Sequence, residues 1–104
     1  NRAPRMREIR ISEAAKSDLI DIWATTFDKW GMDQADRYLD DIDRSLQSLA
    51  ESPFLGPECS ELLIGARRLL TGRHLAFYEV SEAAIYVIRV LHQSIDVQQQ
   101  LRAS

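Results

Sequence analysis

A single cysteine, Cys59, stands among the 104 residues, so no internal disulfide can form. Such usage fits a reducing cytoplasm, where thiols stay free. Histidine is nearly as scarce. His74, His92 and Cys59 are the only soft metal ligands, spread over one predicted loop and two predicted strands, and no metal site is expected from them. With four glycines there is no Gly-rich phosphate loop, and neither a nucleophile elbow nor an HExxH pair is present, so no cofactor is expected. No apolar run approaches the ~18 residues of a membrane span and no signal peptide is visible, which predicts a cytoplasmic protein without membrane contact. A strong charge of either sign is missing too. Thirteen basic against sixteen acidic residues leave a net charge of −3, too weak a positive field for a stand-alone nucleic-acid binder.

What is present is one domain's worth of chain, 45% apolar and 28% charged, enough for a core without staples. Asn1–Arg5 lacks periodicity and precedes Met6, so it reads as a cloning remnant or a frayed arm. Residues 6–101 are expected to form the single domain and 102–104 a tail. Charge is segregated within it: residues 32–62 hold eight acidic and two basic side chains, whereas Arg67, Arg68, Arg73 and Arg89 collect beyond them. That basic surplus suits local recognition of an acidic peptide.

The densest stretch is Gly65–Asp96. Leu75–Val80 and Ala84–Leu91 are rich in Val, Ile, Tyr, Phe and Leu, with Arg67–Leu70 a shorter candidate before them. Thr71-Gly72 and Ser81–Ala83 are breaks short enough for hairpins, which predicts a three-strand antiparallel meander. Strict alternation puts Ile85, Val87, Arg89 and Leu91 on one face and Tyr86, Ile88, Val90 and His92 on the other, both mostly apolar. Arg89 in that setting needs a partner, either an acid of its own chain or another molecule's carboxylate or phosphate. His74 and His92 lie at predicted strand ends, where an imidazole commonly bonds a carbonyl or water; the alternative is general acid–base work on RNA. Tyr78 and Tyr86 read as core aromatics.

Ahead of the meander, Met6–Ile11 alternates like a half-buried strand and Ser12 is a plausible helix N-cap. Ala15, Leu19, Ile22, Trp23, Thr26, Phe27 and Trp30 then recur at spacings of three and four, predicting a helix over Glu13–Trp30 stopped by Gly31, with Asp18 off the stripe. A second helical run carries Ala35, Tyr38, Leu39, Ile42, Leu46 and Leu49 and ends at Ser52-Pro53. Its aspartates read as a solvated face, with Asp40 four residues before Arg44. Phe54–Glu61 reads as loop and Ser94–Leu101 as a last helical turn or two. The order β-α-α-β-β-β predicts an α+β fold, an antiparallel sheet packed against an α-helical hairpin. Any overhang of the Trp23, Phe27, Trp30 stripe past the second helix would expose apolar surface of the kind that marks a partner site.

Taken together, DLIDIWATTFDKWGMDQADRYLDDI, GARRLLTGRHLAFYEV and above all IRVLHQSID at Ile88–Asp96 resemble the ParE toxins of bacterial toxin–antitoxin pairs, within the wider RelE/ParE group. The resemblance covers Met6–Leu101. It implies a type II toxin that inhibits DNA gyrase by binding, without catalytic residues, and is silenced in a hetero-oligomer by a ParD-like antitoxin. DNA would be reached only through that antitoxin. On this reading Trp23, Phe27, Trp30, Arg67, Arg68, Arg73 and Arg89 face the antitoxin, and His92, Gln93, Ser94 and Asp96 the target. The RelE-like branch, ribosome-dependent mRNA endoribonucleases, is the alternative and would use Arg68, Arg89 and His92. Those enzymes carry an acid–base or stacking Tyr or His at the extreme carboxyl end, and VQQQLRAS here has neither.

Overall fold

Ser12 decides where the first helix begins. Its Oγ accepts the Ala15 N–H at 3.0 Å as an N-cap and donates to the Ile88 carbonyl at 2.7 Å, so the helix start is fastened to a distant strand. In this computed structural model, which describes residues 6–95 and 99–101, the order is β1 (Glu8–Ile11), α1 (Glu13–Trp30), α2 (Met32–Ser48), β2 (Arg67–Thr71), β3 (His74–Val80) and β4 (Ala84–His92). The arm expected over Asn1–Arg5, the tail expected over 102–104 and the predicted site residue Asp96 lie outside the described residues. None of the described helices is long and apolar enough to cross a membrane.

Gly31 alone joins the two helices. At φ 90° and ψ 176° it occupies a region open essentially to glycine, donates to the Phe27 carbonyl and accepts from Ala35 N–H, ending one helix and starting the next. Nothing lies within 4 Å of a Cβ placed there. Gly31→Ala is therefore expected to cost about 1–3 kcal/mol through the backbone alone, read as a lower urea midpoint with an unchanged slope.

The sheet order is β1-β4-β3-β2. β2, β3 and β4 form the expected antiparallel meander, closed at Gly72-Arg73 by a two-residue turn whose only positive φ is that of Gly72, the pattern of a II′ turn. The expectation of a wholly antiparallel sheet needs one correction: β1 pairs with β4 in parallel, Ile9 opposite Ile85 and Ile11 opposite Val87. β1 leads directly into α1 and no hairpin joins it to β4, so no tight turn forces these two strands antiparallel.

Both faces of the sheet are covered. Ile22, Ile42, Leu46 and Leu49 of the hairpin segment pack against Ala76, Tyr78, Ile85, Val87 and Val90. On the opposite face Phe77 and Leu91 pack with Cys59, Ala66 and Leu101. Strict alternation fails once within β4. Phe77 pairs with Arg89 but Tyr78 pairs with Val87, so Ile88 and Arg89 together oppose one residue. This bulge moves Val90 and His92 onto the helix face with Ile85 and Val87, and leaves Ile88 and Leu91 on the far face. A strand apolar on both sides hides such a slip, because neither register exposes a misplaced polar residue.

Candidate functional site

Tyr38 organises the site. It projects from α2 toward the β2–β3 turn, where its hydroxyl accepts the Arg73 N–H at 3.0 Å and lies 2.6 Å from His74 Nδ1. A Cβ on Gly72 would sit 2.6 Å from the Tyr38 ring, so glycine allows the turn to close onto α2 as well as supplying the positive φ. His74 meets His92 edge-on, ring centroids 5.1 Å apart at 84°. His92 Nδ1 in turn accepts the Ser94 N–H at 3.1 Å and lies 2.7 Å from Ser94 Oγ. An Nδ1 that accepts a backbone N–H carries no proton, so the neutral ring holds its proton on Nε2.

Around this row lies a cleft of about 460 Å³ between the end of α1 and the hairpin turn. Lys29 and Trp30 come from α1, Gln34 and Tyr38 from α2, Arg73 from the turn and His92 from β4. Burial, and after it the neighbouring His92, lowers the His74 pKa to about 4. The sign follows directly. The folded pKa lies below the ordinary 6.5, so the stability His74 contributes is present above pH 6.5 and is lost as pH falls from 6.5 through 4. Unfolding at pH 7 and pH 4.5 should show a larger acid loss for the wild type than for His74→Gln.

A second feature adjoins the cleft. Ile20, Trp23, Phe27 and Trp30 recur at three and four along α1, and three of them face outward: Ile20 is 69%, Phe27 41% and Trp30 72% exposed. Trp23 stacks on Phe27 at 5.2 Å and donates Nε1 to Asp36 Oδ1 of α2 at 2.9 Å. The expected overhang is thus real, and it ends at the cleft through Trp30.

The predicted site residues do not form one group. Trp30 and Arg73 share the cleft with His92, and Gln93 and Ser94 form the turn beside it, Gln93 N–H donating to the Arg73 carbonyl. Arg67 is elsewhere, donating to the Gly56 carbonyl at 2.7 Å with its guanidinium 4.9 Å from the Phe54 ring. Arg68 pairs with Phe77 and lies on the face of the sheet away from His92, whereas Arg89, opposite Phe77 in register, turns its guanidinium to α1. Arg89 has the internal partner: its Nε and an Nη donate to the two Asp18 carboxylate oxygens at 2.7 and 2.8 Å, and Asp18 also accepts the Val90 N–H. Asp18, predicted off the stripe, is buried to 12% exposure at this junction. Arg44 pairs with Asp41, not Asp40, at 3.0 Å. Tyr86, predicted in the core, is 40% exposed under the Arg10 guanidinium.

Sequence reasoning missed Lys29, Gln34 and Tyr38 as cleft residues. Tyr38 carried a signal, since a tyrosine in an apolar helical stripe must aim its hydroxyl at some polar partner. Among the described residues, no group of three or more His, Cys, Asp or Glu is placed to hold a metal ion.

Comparison with known proteins bears on this geometry. The family model described as the ParE toxin of the type II toxin–antitoxin system, parDE, matches residues 9–97. The chain is 42% identical over 92 residues to Toxin ParE1 of Mycobacterium tuberculosis (strain ATCC 25618 / H37Rv), covering 88% of this chain and 94% of that protein. Toxin ParE1 of Caulobacter vibrioides is 38% identical over 96 residues, 92% of this chain and 99% of the relative. A solved structure titled as the chromosomal ParDE TA system from P. aeruginosa superposes with a TM-score of 0.74 at 20% identity, over 84% of this chain and 96% of that one; it bears on the fold alone.

Proposed function

The chain belongs to the ParE toxin family of type II toxin–antitoxin systems, and from that premise we propose that it acts in the cytoplasm as a non-enzymatic inhibitor of DNA gyrase, silenced by a cognate ParD-like antitoxin. The observation that carries the reading is the outward stripe of Ile20, Phe27 and Trp30. Large aromatics bury ~150–250 Å² each when covered, and a helix face left this apolar is unusual in a finished monomer. An amphipathic antitoxin helix laid along α1 would bury it by helix-in-groove recognition. Because Trp30 belongs to both stripe and cleft, the same segment would cover His92 and the following turn, the surface we assign to the target. Binding antitoxin and binding gyrase then exclude one another.

The cleavage alternative finds little support in the geometry. Arg68 lies across the sheet from His92, and the Arg89 guanidinium is held by Asp18 of α1. The His92 Nδ1 accepts from Ser94, so that nitrogen is occupied as it stands. A general base needs a free, unprotonated nitrogen within reach of the proton it takes. The test is supercoiling of relaxed plasmid by purified gyrase: added chain should lower it, and prior mixing with the antitoxin should restore it. Unchanged supercoiling at excess chain would reject the gyrase reading.

A further inference from the structure

The cleft beneath Tyr38 has a chemistry that differs from the rest of the surface. Acidic residues outnumber basic ones sixteen to thirteen in the chain, yet among the described residues no carboxylate lines this cleft. Lys29 and Arg73 both open onto it, and among the described residues neither belongs to an ion pair. His92 contributes an imidazole whose proton sits on Nε2, a donor and not a base, since Nδ1 is taken by the Ser94 N–H. Beside these donors stands the Trp30 indole, 72% exposed. Two cations, an imidazole N–H and a bare aromatic face are the complement of an anion joined to a flat ring. A volume of about 460 Å³ falls within the range of about 300–1,000 Å³ usual for small-molecule sites.

We propose that this cleft is a nucleotide site, which takes a nucleoside monophosphate with its phosphate on Lys29, Arg73 and His92 and its base against Trp30, and holds it without cleaving it. A dianionic phosphate offers three terminal oxygens, one for each of these donors, where a carboxylate offers two. A long nucleic-acid strand is disfavoured because α2, which forms one wall, carries Asp33, Asp36, Asp40, Asp41 and Asp43. Those charges repel an extended polyanion, whereas a compact ligand meets only the local donors. The site stands independently of the gyrase assignment, since nothing in it depends on a protein partner.

The experiment is a titration of the full chain with AMP, adenosine, ribose 5-phosphate and inorganic phosphate at matched ionic strength. It is followed by tryptophan fluorescence and by the amide shifts of Thr25, Arg73 and His92. AMP should give a saturable response, and each of the other three should bind at least about ten-fold more weakly. Lys29→Gln and Arg73→Gln, both exposed and expected to fold normally by circular dichroism, should each weaken AMP by about ten-fold or more. Trp30→Ala should erase the preference for AMP over ribose 5-phosphate. The proposal is overturned if AMP gives no saturable response through the millimolar range, or if inorganic phosphate or adenosine matches it. It fails equally if both Gln variants bind as the wild type does, or if the nucleotide is consumed.

Discussion

Asp18→Ala is expected to lower the unfolding free energy by about 3–5 kcal/mol, a large fraction of the 5–15 kcal/mol typical of a small domain. The carboxylate accepts from the Arg89 Nε, an Arg89 Nη and the Val90 N–H at 2.7, 2.8 and 2.9 Å. Removing it leaves a guanidinium only 15% exposed and a backbone donor without their acceptor. The loss stems from the charge left behind more than from the worth of the pair. Replacing both partners with apolar side chains of similar volume, Asp18→Leu with Arg89→Met, should therefore recover most of the stability. Asp18→Asn should fall between, since it keeps an acceptor for Val90. Urea unfolding of the four proteins checks this. A single variant within about 1 kcal/mol of wild type would mean that water reaches the pair.

Trp30→Ala is expected to weaken the antitoxin complex by about 2–4 kcal/mol, roughly 30-fold to 1,000-fold in affinity, while changing the stability of the free chain by no more than about 0.5 kcal/mol. The asymmetry follows from exposure: the indole is 72% accessible in the chain alone, so folding gains little from it, and a partner that covers it gains most of its area. Phe27→Ala should act in the same direction with less effect on affinity and more on stability, since Phe27 is 41% exposed and stacks on Trp23. Calorimetry with the co-expressed antitoxin and urea unfolding of the free chain separate the two quantities. Equal affinity for wild type and Trp30→Ala would remove the α1 stripe from the interface.

Local signals were the legible ones. The helical spacing of Ala15 to Trp30, the Ser12 cap, the Gly31 stop and the Gly72 break each act over a few residues, and each recurs in the fold where the pattern put it. What escaped depends on residues far apart in sequence. Asp18 read only as a residue off the apolar stripe because its partner lies 71 positions away. The parallel β1–β4 pairing escaped for the same reason of distance: no turn joins the two strands, so nothing local marks their relative direction. The bulge at Ile88 and Arg89 left no trace in a run apolar on both faces, and it reversed the assignment of Val90 and His92 relative to Val87. The cleft was half legible. Trp30, Arg73 and His92 were each singled out, but their meeting depends on long-range contacts, Tyr38 to the β2–β3 turn and Gln93 to the Arg73 carbonyl among them.

The central claim is that this chain acts by occupying its target, with no bond made or broken. Stoichiometry tests that most directly. Gyrase at fixed concentration is titrated with the chain, and the supercoiling rate is read at successive incubation times. Occupancy predicts that inhibition grows with added chain, levels off near equimolar, stays constant with time and reverses on adding antitoxin. Inhibition that accumulates with time at far fewer chains than gyrase molecules, and persists after antitoxin is added, would contradict it.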